Sequence, residues 1–436
     1  MSMTTGTTPP GPSAPDDDLH TDVCVVGGGP AGLALALMLL RSGLRVALLE
    51  KSTGFDRAFR GEILQPGGQR ILDDLGVLTA ARDAGACELD GFQLMDRGRV
   101  LLDIDYRLLP APYDHLLAVP QRHLLDALLA QCRALPGFRF LDGHRVGALV
   151  EEDGRVTGVV AHGLGLRRTV HARVVVGADG RFSKTRALAG IGAGRVEVFG
   201  HDVLWFKVDA PDRQTGYVRI HRTAGNPVLV HDSHPGKLQI GWTLPHKSWP
   251  ELAARGVDEV RRELATALPQ FADLIEDSVG SLSDLSLLDV YAAKADAWTR
   301  DGLVLIGDSA HTHSPLGAQG INLALQDAAV LHPVLVAALR AGCLERERFA
   351  PFLDARMPAV DAVMKMQGMQ AKGMFGTGGP VADRLRSGIA RLIRHSPLGR
   401  KITHRVAFGH PPVDVRTDLF TTGPTARAER TGSSKG

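Results

Sequence analysis

DVCVVGGGPAGLALALMLLRSGLRVALLE, residues 22–50, compresses a strand, a helix and a second strand into one stretch. Residues 22–26 (DVCVV) form a short apolar run with a β-branched bias, which reads as a buried strand. Glycines follow at 27, 28 and 29, then a helical pattern from Pro30 to about Ser42, ended by Gly43. Arg45 to Glu50 (RVALLE) reads as the second strand. Strands joined through a helix make a βαβ unit, which requires a parallel sheet. The glycines fall as GxGxxG at Gly27, Gly29 and Gly32. Gly27 permits the tight turn, Gly29 lets backbone approach a pyrophosphate, and Gly32 lets the helix pack close to the strand. Pro30 and Ala31 open a helix whose free N–H groups and dipole suit a phosphate. Glu50, 18 residues after Gly32, ends the second strand, where a carboxylate holds ribose hydroxyls. The same charge repels a 2′-phosphate, so the expected nucleotide is FAD or NAD; this motif does not choose between them.

The whole chain of 436 residues amounts to about three domain equivalents. A formal charge of +2 lacks the strongly basic domain of a nucleic-acid binder. Cys24, Cys87, Cys132 and Cys343 lie far apart with no CxxC, which excludes a disulfide scaffold or a zinc ribbon. Residues 1–20 are small, polar and Pro-rich, with no basic stretch ahead of an apolar one. They read as a disordered tail rather than a signal peptide, and residues 416–436 read the same way. Leu33 to Leu40 is too short an apolar run to span a bilayer, so the expected location is cytoplasmic.

Residues 122–134 read as an amphipathic helix, strands lie within 145–160 and 169–176, and Arg173 to Gly177 (RVVVG) is again a buried strand. From about 200 to 245, short strands separated by Pro, Gly and Asn suggest an antiparallel sheet. The βα character returns at Leu303 to Ile306, and a long helix runs from Gly320 to about Arg340. The expected class is α/β: a discontinuous Rossmann-like domain (21–90, 115–200 and 296–345), an inserted antiparallel-sheet domain (91–114 and 201–295) and C-terminal helices (346–415).

Two further motifs follow strands. Ala178-Asp179-Gly180-Arg181-Phe182-Ser183-Lys184-Thr185-Arg186 comes after 173–177. Gly307-Asp308-Ser309-Ala310-His311 comes after 303–306 and leads to Pro315-Leu316-Gly317-Ala318-Gln319-Gly320-Ile321-Asn322. With GxGxxG, these resemble the group A flavoprotein monooxygenases of the para-hydroxybenzoate hydroxylase fold, over about residues 20–370. One departure is Ala318-Gln319, where many members carry another glycine.

The resemblance implies that the Rossmann-like domain binds FAD and that the inserted sheet carries the substrate face. It places Asp308, after Gly307, on the ribityl chain, and wraps Pro315, Gly317, Gly320, Ile321 and Asn322 around the pyrimidine edge of the flavin. Backbone N–H groups there would face O2 and N1, where negative charge sits in the reduced state. Asp179 and Gly180 would contact the pyrophosphate and serve NAD(P)H, braced by Ser183 and Arg186. Lys51 beside Glu50, Arg60 with Gly61, and Arg122 or its neighbour Gln121 complete the expected FAD contacts. The implied activity is a monooxygenase: NAD(P)H reduces the flavin, O2 forms a C4a-hydroperoxide, and one oxygen passes to an aromatic or polyketide-type small molecule. NAD(P)H would bind transiently, because FAD takes the one dinucleotide motif. No catalytic side chain is identified, and NADH is not distinguished from NADPH. The alternatives are a C=C reductase of similar fold and a quinone or isoprenoid hydroxylase at a membrane surface. A halogenase is set aside, because Gly241-Trp242-Thr243-Leu244-Pro245 does not match WxWxIP.

His311 and His313 flank Thr312 with no third ligand at recognisable spacing, so they read as packing near the flavin and no metal is expected. No GxSxG or HExxH supports a hydrolase. Met364, Met366, Met369 and Met374 read as core or a pliable pocket wall. Eight Lys/Arg against Asp383 between Lys372 and Arg405 read as a solvated face in preference to a membrane-surface or acidic-partner contact. Trp205, His221, His231 and Trp242 lie on the inserted strands; period two sends half of them away from the pocket and leaves open which half.

Overall fold

The computed structural model describes residues 18–55, 61–96, 98–196, 200–222, 226–375 and 396–422. Its central sheet runs Thr299–Arg300, Leu303–Leu305, Leu166–Gly177, Leu19–Val26, Val46–Leu49, Phe138–Leu141. From Leu303–Leu305 to Phe138–Leu141 every pairing is parallel. Val23, Cys24 and Val25 are fully buried, which explains a continuous apolar run where a half-exposed strand would alternate. Helix Pro30–Arg41 is buried from Ala31 to Arg41, against helices Gln121–Arg133 and Gly320–Ala341. A helix apolar all round must be enclosed. Gly320–Ala341 is long and apolar enough to cross a membrane, yet here it is a core helix, mostly buried.

The second sheet has seven strands in the order Ser286–Leu288, His201–Asp209, Lys237–Pro245, Val228–Ser233, Val218–Arg222, Gly91–Asp96, Arg99–Asp105. It is not purely antiparallel as expected: Val218–Arg222 and Gly91–Asp96 run parallel. The chain between them passes through the nucleotide domain, and such a long crossover permits a parallel pair. Leu204, Phe206, Val208, Val228, Val230, Leu238, Ile240 and Trp242 pack against Leu252, Val260, Leu264 and Ile275 of three short helices. The opposite face turns toward the nucleotide domain. Trp205 and His231 therefore point inward, while Trp242 and His221, which is level with Val228, point away.

Part of each segment expected as a disordered tail is structured. The first strand begins at Leu19, paired with Val170, and His20 stacks on His171 at 4.8 Å. At the other end, residues 416–422 are ordered. Thr421 N–H donates to the Arg41 carbonyl at 2.7 Å, and Phe420 lies 5.7 Å from both the Arg41 guanidinium and the His332 ring. The C-terminal chain thereby satisfies a carbonyl that a helix end leaves unpaired. Residues 1–17, 376–395 and 423–436 lie outside the described residues, and with them most of the basic stretch.

His332 carries a pH dependence. Burial, and then Arg416, push its imidazole down to about 4, while Ser42 Oγ sits 2.7 Å from Nε2. A histidine lowered on folding contributes stability above its unfolded value near 6.5, lost as pH falls through the folded value. His221 is held at about 4 by burial and Arg219 and acts in the same direction. The urea midpoint should therefore fall as pH drops from 6.5 toward 4, and His332→Leu should flatten that slope; an unchanged slope would remove His332 as its source.

Candidate active site

The three glycine-motif positions differ in what surrounds them. Gly27 has φ +112°, and a Cβ there would overlap the Ala178 carbonyl. A Cβ on Gly32 would overlap the Gly27 carbonyl, whereas one on Gly29 would meet nothing within 4 Å. The first intrahelical bond is Leu33 N–H to the Gly29 carbonyl, and no side chain caps this end, so the N–H groups of Ala31 and Gly32 precede the helical ladder. Glu50 is buried beside them; its carboxylate accepts from Gly28 N–H at 2.9 Å and Ser52 N–H at 3.0 Å. An open glycine, an uncapped helix start and an oriented carboxylate fit the pyrophosphate and ribose of FAD. Lys51 and Gly61 are exposed, Gln121 is half-buried, and Arg122 is exposed, 3.9 Å from Asp126. Arg60 lies outside the described residues.

Asp179 is engaged by the protein itself. It accepts from Ser183 Oγ (2.5 Å), Thr185 N–H (2.9 Å), Thr185 Oγ1 (3.1 Å) and Ser309 Oγ (3.2 Å). Gly180 N–H donates to Ser309 Oγ at 2.9 Å, and Arg186 donates to the Ser309 carbonyl at 2.8 Å. The second and third motifs are thus tied into one wall, on which Gly180 is left open. The Asp308 side chain is about one-third exposed, with Arg181 Nε 3.9 Å away.

The loop after Pro315 turns through two left-handed residues, Gly317 (φ +71°) and Ala318 (φ +50°). Alanine at that second position costs about 1 kcal/mol, so the loop must be held. Gln65 Nε2 donates to the Gly317 carbonyl (2.9 Å), and Gln65 N–H donates to Asn322 Oδ1 (3.0 Å). Asn322 Nδ2 donates to the Ala318 carbonyl (3.0 Å), and Gln367 Nε2 donates to the carbonyls of Ser314 (2.9 Å) and Leu316 (2.8 Å). Gln319 Nε2 reaches Val406 at 3.0 Å, and Tyr106 donates to Gln65 Oε1 at 2.8 Å. Asn322 is therefore a clamp through its side chain. The first helical bond beyond is Leu323 N–H to the Gln319 carbonyl, so the N–H groups of Gly320, Ile321 and Asn322 lack intrahelical partners. Gln65, Tyr106 and Gln367 come from distant segments, and no local spacing announced them.

Beneath the third motif lies a buried network. Asp327 accepts from Gly307 N–H (2.8 Å), Arg356 Nε (2.7 Å) and His311 Nε2 (2.6 Å). Burial would raise its carboxyl, but His311 and Arg356 outweigh that and hold it well below the usual carboxylate range. His311 Nδ1 meets His313 Nε2 at 2.8 Å, and burial together with His311 pushes His313 down. His311 is thus satisfied at both ring nitrogens within the core, while the buried His313 Nδ1 has no partner among the described residues. Elsewhere Asp202, His246 and Asp289 converge, but Asp202 already accepts from His246 and Val290, and Asp289 pairs with Arg195.

Between the loop and the inner face of the seven-stranded sheet lies a small, mostly apolar cavity. Val203, Trp205, Ile220, Leu229 and Gly241 line the sheet side, and Pro315 and Leu316 the loop side. A Cβ on Gly241 would stand 2.6 Å from the Trp205 ring, so the missing side chain lets that indole lie close over the strand.

Comparison with known proteins agrees with this geometry. A family model described as FAD binding domain matches residues 20–366. The 6-methylpretetramide 4-monooxygenase of Streptomyces rimosus is 52% identical over 419 residues, 95% of this chain and 99% of that protein. The protoasukamycin 4-monooxygenase of Streptomyces nodosus subsp. asukaensis is 30% identical, covering 84% of this chain and 91% of that one. Among solved structures, p-nitrophenol 4-monooxygenase PnpA from Pseudomonas putida DLL-E4 shares the fold with a TM-score of 0.75 at 21% identity, covering 88% of this chain and 97% of that one. By fold, motifs and these relatives, the chain belongs to the FAD-binding-domain family of flavin-dependent monooxygenases.

Proposed function

We infer that this monooxygenase hydroxylates a planar polycyclic phenol of polyketide type, with NAD(P)H as electron donor, and that it works as a cytoplasmic enzyme. The observation that carries the reading is the apolar cavity floored by Trp205 over Gly241 and roofed by Pro315 and Leu316. The flat face of the Trp205 indole, with apolar side chains around it, suits a flat aromatic guest. The 52% identical relative, named for 6-methylpretetramide, supports the same substrate class.

In this reading the N–H groups of Ala31 and Gly32 hold the FAD pyrophosphate, Glu50 the adenosine ribose and Asp308 the ribityl chain. Gly61, Gly180 and Gln121 or Arg122 complete the contacts. The N–H groups of Gly320, Ile321 and Asn322 face the pyrimidine edge, where the helix dipole favours negative charge. Bound FAD supplies the redox chemistry that activates O2 and delivers one oxygen atom. The chain would orient the substrate ring beside the flavin and exclude water with Val203, Leu229 and Leu316.

The test uses FAD-loaded protein. NADH or NADPH without oxygen should bleach the flavin. Admitting oxygen-18 gas with 6-methylpretetramide should then add one heavy oxygen to the product. Failure of both nicotinamides to bleach the flavin overturns the donor assignment, and a product without the heavy atom overturns the substrate reading.

A further inference from the structure

The inner face of the seven-stranded sheet changes character from one row of residues to the next. Trp205, Gly241 and Leu229 are register partners and form the cavity floor. Two residues along each strand, roughly 7 Å away on the same face, lie Lys207, Gln239 and His231, again register partners. This second row is polar and largely buried: Gln239 is 1% exposed and His231 2%, while the Lys207 side chain keeps 30% of its surface exposed. A lysine facing inward beside an apolar cavity needs a reason, because burying an ammonium is costly unless it is paired.

Lys207 is held from two sides. Its Nζ donates to Glu62 Oε1 at 2.7 Å and to Ser233 Oγ at 2.9 Å, and Ser233 Oγ donates to Glu62 Oε2 at 2.8 Å. These bonds use two of the three N–H groups an ammonium carries. Gln239 Nε2 donates to the Phe206 carbonyl at 3.0 Å, while its buried Oε1 has no partner among the described residues. His231 Nδ1 meets the Asp232 carbonyl at 2.9 Å; burial lowers its pKa, and Lys207 adds to that, so Lys207 is the cation of this row. Glu62 also connects the row to the flavin loop. Three residues of extended chain, about 10 Å, separate it from Gln65, whose side chain donates to the Gly317 carbonyl. The polar row thus lies one step along the strands from the cavity floor, on the side linked through Glu62 to the flavin loop, while the cavity itself is lined by the apolar row.

We propose that Lys207 holds an ionised phenolic or enolic oxygen of the substrate, while Gln239 Oε1 accepts from a neighbouring hydroxyl. The recognised class is a planar polycycle with an acidic hydroxyl beside a second, protonated one. On binding, the O–H bond breaks heterolytically, the electron pair stays on oxygen, and the proton leaves to the buffer. An ionised ring is the more electron-rich target for an electrophilic oxygen, and the remaining N–H of the Lys207 ammonium, fixed in place by Glu62 and Ser233, favours that anion through a charge-assisted hydrogen bond. This inference rests on the polycyclic-phenol reading of the cavity.

The probe is alizarin, a flat tricyclic phenol with adjacent hydroxyls whose absorption moves to longer wavelength on ionisation. FAD-loaded full-length protein is titrated with it across a pH series. Bound alizarin should ionise about one pH unit or more below its free value, as a nearby opposite charge dictates. Lys207→Met and Lys207→Gln should both abolish that shift, and Lys207→Arg should preserve it. Lys207→Gln, which can still hydrogen-bond Glu62, serves if the methionine variant misfolds. Gln239→Leu should weaken binding several-fold and leave the shift in place. An equal shift in wild type and Lys207→Gln overturns the role of Lys207 while sparing the cavity reading. No binding of alizarin to wild type overturns both.

Discussion

Gly29→Ala should give a folded protein that purifies without yellow flavin. Its backbone, φ −84° and ψ −176°, is one that alanine adopts freely, and a Cβ there meets no protein atom within 4 Å. Replacing glycine where the conformation allows it is neutral or stabilising by up to about 1 kcal/mol. The melting temperature without cofactor should therefore stay at or slightly above wild type. The new methyl, however, stands where a pyrophosphate would reach the N–H groups of Ala31 and Gly32. Charge-assisted hydrogen bonds lost there are worth about 1.5–3 kcal/mol each, so FAD affinity should fall by roughly 100-fold. Gly27→Ala makes the contrast. Its φ of +112° and the Ala178 carbonyl leave no room for a side chain, so this variant should lose both flavin and fold stability. Fluorescence titration of FAD and thermal melts of the apo proteins separate the two. A Gly29→Ala protein that keeps wild-type FAD affinity would sink the cradle assignment.

The same comparison shows which features were legible in the sequence. Gly27, Gly32 and Glu50 are readable because the turn, the helix and the carboxylate fall within one βαβ unit, where spacing dictates geometry. Lys207 and Glu62 are 145 residues apart, one on the seven-stranded sheet and the other in the segment before Ile63, and no local pattern joins them. Period two sends half of Trp205, His221, His231 and Trp242 away from the pocket, but does not say which half. The helices packed on Leu204 and Ile240 decide that, and they are a tertiary fact. The tail near Phe420 was misread for the opposite reason. Its composition is that of a disordered segment, yet one aromatic and one backbone N–H suffice to dock it on Arg41. Ala318, the departure from a glycine-rich loop, was visible in the sequence; the amides of Gln65 and Gln367 that hold this loop in place were not.

Arg356→Met should be the most destabilising single change in the core around the third motif. Arg356 is 2% exposed and Asp327 fully buried, and their 2.7 Å contact joins two long helices. Removing the arginine leaves a buried carboxylate with donors only from Gly307 and His311. Breaking one side of such a pair costs about 3–5 kcal/mol, several degrees of melting temperature for a chain of this size. The pH dependence gives a second signature. A carboxyl held low in the folded state contributes stability above its unfolded value, lost as pH falls through the folded one. In wild type the loss from Asp327 thus begins near the ordinary carboxylate value and continues into strongly acid solution. Without Arg356 its folded value rises toward the unfolded one, so the part of the acid-induced loss that comes from Asp327 should shrink. Asp327→Leu combined with Arg356→Met should recover part of the deficit, because no charge is left unpaired. Gly307 N–H binds the same carboxylate, so the single variant should also loosen the turn that presents Asp308 and weaken FAD binding. Chemical denaturation of wild type, the single and the double variants across a pH series reads all of this. A single variant as stable as wild type would show that the ion pair is not what holds the third motif in place.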